Sequence, residues 1–76
     1  MYYGKIHINN IEAARAFVAM AGKYPMLKIM LESSEYKVDA HSIIGILSLD
    51  LSRPLTVSAE GDDLRGFIDD LQPYTV

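Results

Sequence analysis

Four stretches of this chain alternate between apolar and polar residues with a period of two, and between them the period shifts to that of a helix. Ile6 and Ile8 oppose Lys5, His7 and Asn9 across the first stretch, Tyr2 to Asn9. Leu27, Ile29 and Leu31 share a face from Met26 to Glu32; Tyr36, Val38 and Ala40 share one in the third; Leu55, Val57 and Ala59 do so in the fourth. Strict alternation marks strands with one buried and one wet face. The intervening spacing is helical: Ile11, Ala14, Phe17, Val18 and Ala21 form one stripe, and Leu64, Phe67, Ile68 and Leu71 another. Asn9-Asn10 supplies an N-cap for the first helix, Gly22 and Pro25 end it, and Ser33-Ser34-Glu35 reads as a hairpin loop. Ser42 opens a short helix running to about Leu49 that carries Gly45, a residue costing about 1 kcal/mol against alanine unless close packing demands it. Ser52-Arg53-Pro54 forms a loop and Glu60-Gly61-Asp62-Asp63 a turn, with two aspartates expected in the first turn of the last helix and Pro73 closing it.

The element order is therefore βαββαβα. A sheet wet on one face needs its helices on the other, which predicts a two-layer α+β sandwich in one domain spanning residues 1–76. A hydrophobic fraction of 50% in 76 residues is enough for a core and argues against disorder. The absence of cysteine removes disulfides, zinc thiolates and thiol nucleophiles. A net charge of -3 without a basic run speaks against nucleic acid and anionic membrane as partners. No apolar run approaches the ~20 residues of a membrane span, and no signal peptide follows Met1; the expected location is cytoplasmic.

Val38-Asp39-Ala40-His41-Ser42-Ile43-Ile44-Gly45-Ile46-Leu47-Ser48-Leu49 resembles the segment of HPr, the histidine-containing phosphocarrier of the bacterial sugar phosphotransferase system, that holds its regulatory serine and the helix after it. The family pattern is met except at its lysine, where this chain has His41. Val57-Ser58-Ala59-Glu60-Gly61-Asp62-Asp63 is similar to the family's turn into the last helix. The resemblance implies an open-faced sandwich with an antiparallel sheet ordered 1-4-2-3 and three helices on one face. It also implies that Ser42 is a phosphorylation candidate. Partners would be other proteins, namely phosphotransferase-system components, the HPr kinase or a regulator.

The family motif Gly-x-His-Ala-Arg-Pro-Ala is broken here. Aligning Ala14, Val18, Ala21 and Lys23-Tyr24 without gaps puts Asn10 at the histidine and Glu12 at the arginine, with Ile11 and Ala13 at the alanine and proline. Phosphoryl carriage needs an imidazole at a helix N-terminus and a cation beside it. Asn10 is not a nucleophile and Glu12 carries the wrong sign. The chain is thus expected to be a regulatory or adaptor module, with no catalytic residue, cofactor or metal, and not an enzyme. Two alternatives stand beside this reading: a phosphocarrier using an atypical residue, and an unrelated small ligand-binding regulatory domain.

His7, three positions early and on the strand, reads as a surface histidine, and His41 as a polar loop residue with the general capacity of imidazole to sense pH. Asp62, Asp63, Asp69 and Asp70 lack calcium-loop spacing and read as a solvated face. Ile43, Ile44, Ile46 and Leu47 are too many apolar residues for the buried face of so short a helix, so part of the helix is expected to form a partner-binding surface. Met20 and Met30 are candidates for adaptable surface, with packing an equal reading for Met20.

Overall fold

In the computed structural model, which describes residues 1–34 and 36–76, four strands pair in the order β1-β4-β2-β3. The strands are β1 (Tyr2–Ile6), β2 (Lys28–Glu32), β3 (Lys37–Asp39) and β4 (Leu55–Glu60), all antiparallel to their neighbours. The register sets Tyr2 opposite Ala59, Leu31 opposite Val57 and Leu31 opposite Val38. Inward-facing residues of neighbouring strands are thereby stacked into one apolar layer, as the alternation requires. The helices α1 (Ile11–Ala21), α2 (Ile43–Leu47) and α3 (Arg65–Leu71) complete the element order, and a single 3-10 turn, Gln72–Tyr74, contains Pro73.

Phe17, Met20 and Ala21 of α1, Ile46 of α2, and Phe67 and Leu71 of α3 are buried with Ile6, Ile8, Leu27, Ile29, Leu31, Leu55 and Val57 in a single cluster. Val18, Val38, Leu64 and Ile68 are half-buried at its margin. No buried side chain in this core is polar among the described residues, so its cohesion is apolar packing.

Several expectations are corrected. The first strand stops at Ile6, not Asn9, because its partner β4 begins at Leu55 and Pro54 before it has no N–H to extend the ladder. Ile8 still reaches the core, and His7 lies half-buried past the strand end, its backbone N–H donating to Tyr74 O at 2.8 Å. Ile11 is 54% exposed rather than part of the buried stripe. It is the first residue of α1, and full burial on the helix begins only at Ala14. Met20, three residues after Phe17, is core, which selects packing over adaptable surface. The second strand starts at Lys28, since Leu27 N–H still closes a turn onto Tyr24 O. Tyr36 precedes β3 and is exposed. Asp62 and Asp63 fall before α3: Asp63 accepts from the backbone N–H of Arg65 at 3.1 Å, so its carboxylate leads into the helix without being in its first turn. The expected hairpin loop at Ser33-Ser34-Glu35 includes Glu35, outside the described residues, while Ser33 N–H donates to Tyr36 O at 2.8 Å.

Two ties draw the chain together beyond the strands. After the 3-10 turn, Thr75 bridges Ile6 and Val76 N–H donates to Lys5 O at 3.3 Å, so the tail runs along the outer edge of β1. Tyr74 meets Phe17 edge-to-face, with ring centroids 5.2 Å apart. The second tie is Tyr24, which follows α1, packs edge-to-face on Phe67 and donates its phenolic O–H to Asp70 at 2.6 Å, while Lys23 Nζ lies 2.8 Å from the same carboxylate. Gly66 makes room for it: a Cβ there would sit 3.1 Å from the phenol oxygen. The hydrogen bond to Asp70, with burial second, pushes the Tyr24 phenol up to about 12. A folded value above the unfolded one means this stabilisation is whole below about pH 10 and is lost as pH rises towards 12. In a spectrophotometric titration one tyrosine should therefore ionise about two pH units late, and Tyr24→Phe should abolish that late step.

Candidate functional site

At the start of α1, Asn10 adopts extended backbone (φ -159°) and its Oδ1 accepts from Ala13 N–H at 2.8 Å. It is a capping residue, as asparagine's short carboxamide suits it to be. Glu12 is exposed in the first turn, where a carboxylate complements the helix dipole. The Asn10 amide offers phosphorus no nucleophilic electron pair, and Glu12 puts a negative charge, not a cation, where the phosphoryl oxygens would lie.

At the start of α2, Ser42 is likewise extended (φ -109°), and its Oγ accepts from Gly45 N–H at 3.1 Å. The hydroxyl proton and second lone pair remain towards solvent on an exposed residue. Gly45 is needed here: a Cβ would lie 3.2 Å from Val38 Cβ and 3.4 Å from Ser42 Oγ, so the glycine lets the helix settle on β3 and keep its cap. α2 is one and a half turns long, ending at Leu47 rather than near Leu49; Ser48 Oγ–H closes it onto Gly45 O at 2.6 Å. Its four large apolar residues divide as so short a helix demands. Ile46 is fully buried, Ile43 half-buried, Ile44 80% exposed and Leu47 41% exposed. Met30 is half-buried on the sheet, not on this helix. Ser42→Ala removes a cap and should cost about 1 kcal/mol, read as a fall in melting temperature of about 4–8 °C for a chain this size.

Sequence reasoning missed the role of His41. Its backbone N–H and Nδ1 both lie within hydrogen-bond distance of Asp39 Oδ1, at 2.8 and 2.9 Å, and its Nε2 is 3.1 Å from Ala21 O at the end of α1. The bond with the backbone N–H, then that with the ring, holds the Asp39 carboxyl below the usual carboxylate range. The Asp39-x-His41 spacing announces the local turn; the contact with Ala21 has no sequence signal, being made across twenty residues. The four aspartates form no common site: Asp63 is paired with Arg65, and Asp70 with Lys23 and Tyr24.

The family model for the phosphorylation site of the HPr component of the phosphotransferase system matches residues 9–75. The chain belongs to the HPr family. HPr-C-His from Thermoanaerobacter tengcongensis is 34% identical, with 95% of this chain and 92% of that one covered and a TM-score of 0.75. The HPr of Bacillus anthracis shares the fold at 24% identity, with 99% and 96% covered and a TM-score of 0.75. Crh of Bacillus subtilis, described as a catabolite repression protein and seen as a domain-swapped intertwined dimer, is 29% identical over 92% of this chain and 80% of that one, at a TM-score of 0.70. No curated protein sequence matches the chain. No helix among the described residues is long and apolar enough to cross a membrane.

Proposed function

We propose that this HPr-family chain is a regulatory or adaptor protein that docks on other proteins through α2 and carries no phosphoryl group at α1. The observation that carries the reading is the contrast between the two helix starts. At α1 the position aligned with the carrier histidine holds a capping Asn10 followed by Glu12. At α2 an intact serine cap stands beside exposed Ile44 and Leu47, and a soluble domain gains nothing by showing two such residues side by side on one short helix. The likeness to Crh, a protein of catabolite repression, supports regulation over transport. Ser42 is the candidate for control: a phosphate on it would place about two negative charges against an apolar contact, favouring the helix start but adding a desolvation cost on docking.

The test is affinity for HPr-binding proteins of the phosphotransferase system and catabolite repression, measured for the wild type, Ser42→Asp, Ser42→Ala and Ile44→Asp. Ile44→Asp and Ser42→Asp should weaken binding at least tenfold with the fold intact. Ser42→Ala should bind nearly normally despite its lower melting temperature. Equal binding by all four removes α2 from the interface.

A further inference from the structure

The geometry points to His41 as a proton-operated latch between α1 and the docking helix, closed when its imidazole carries two protons. This rests on reading α2 as the docking surface, but the latch itself is a property of the free chain. Each ring nitrogen faces an oxygen that can only accept: Nδ1 faces the Asp39 carboxylate at 2.9 Å and Nε2 the Ala21 carbonyl at 3.1 Å. A neutral imidazole has one N–H and satisfies one of them; the imidazolium has two and satisfies both. The second acceptor is the last residue of α1, an eleven-residue helix with no basic residue in its last turn; its carbonyl also accepts from Tyr24 N–H at 2.9 Å, and the ring adds a cation at that negative helix end. The ring is mostly enclosed, its side chain 30% exposed, whereas the Asp39 carboxylate is 61% exposed, so the Ala21 contact is the better shielded from solvent of the two.

The surrounding charges agree with this. On β3, Asp39 is the one partner in ion-pair range of the ring among the described residues, and Lys37 lies on the same strand. Opposite Asp39 on β2 stands the uncharged Met30. Beyond α1, Lys23 is engaged by Asp70. α2 itself has no charged residue; its own N-terminus disfavours a cation, but with five residues its dipole is the shorter. Loss of one proton releases either the α1 contact or the Asp39 contact. Because Ser42 follows directly and its N–H donates to Asp39 O at 3.1 Å, release loosens the strap that positions the cap of α2.

The experiment is a pH titration of the ¹⁵N-labelled wild type and His41→Gln, from pH 5 to 8.5, without any partner. Gln keeps a single donor nitrogen and cannot titrate, and His7 serves as an internal control in both. The wild type should show two protonated His41 ring nitrogens at low pH. The amides of Gly22, Tyr24, Ser42 and Gly45 should then shift together as His41 titrates, with no such step in His41→Gln. If His41 titrates while those amides stay still, or if the same step persists in His41→Gln, the latch is overturned. A latch that titrates as described in a chain that binds nothing through α2 would instead reject the docking reading.

Discussion

Incubated with phosphoenolpyruvate and the first enzyme of the phosphotransferase system, the wild-type chain is expected to keep its unmodified mass, while a genuine HPr in the same tube gains one phosphoryl group. The residue aligned with the carrier histidine, Asn10, presents a carboxamide whose oxygen accepts from Ala13 N–H at 2.8 Å. An amide nitrogen has no free electron pair to offer phosphorus, whereas the imidazole of the family motif does. Two residues on, Glu12 would repel the transferred group where a cation should hold it. Asn10→His alone should therefore react weakly, and Asn10→His with Glu12→Arg far better, since the first change supplies the nucleophile and the second the electrostatic clamp. An acid-labile adduct on the wild type would overturn this, and its loss in His7→Ala would locate the atypical acceptor.

Phe17→Ala should remove most of the folding stability at room temperature. Phe17 is fully buried, at the middle of α1, against the sheet and edge-on to Tyr74. Truncating such a ring costs about 3–5 kcal/mol, and a domain of this size holds on the order of 5 kcal/mol in total. Ile44→Ala, as large a change of chemistry on a residue that is 80% exposed, should move stability by less than about 0.5 kcal/mol. Urea melts followed by circular dichroism distinguish the two. A Phe17→Ala chain as stable as the wild type would mean that α1 is not held on the sheet by this ring.

The element order, the inward faces of the strands and both helix caps were legible because each rests on local chemistry: alternation for Leu55, Val57 and Ala59, a carboxamide or hydroxyl before an apolar stripe for Asn10 and Ser42. The division of α2 was legible for a geometric reason, since one and a half turns cannot hide Ile43, Ile44, Ile46 and Leu47 together. Errors fell at element ends. Ile11 and Tyr36 have the right spacing for their stripes, and Asp62 the right charge for a first turn, but each sits where the chain has not yet entered or reached the packed element. Contacts across long separations were invisible for a different reason: nothing near His41 in sequence reveals the Ala21 carbonyl, and nothing near Tyr24 reveals Asp70.

The pairing of β1 bears on when this chain can fold. Among the described residues its only ladder partner is β4, at Leu55–Glu60, and its other edge is taken by Thr75 and Val76. During synthesis the first strand thus emerges with nothing to pair with, and it stays so until nearly all the residues described have been made. Contacts this distant along the chain close slowly, since the entropy of a long loop is lost before any ladder bond is gained. Ile6 and Ile8 are therefore exposed apolar residues throughout elongation, and the nascent chain is in reach of chaperones and of like chains until the last strand arrives.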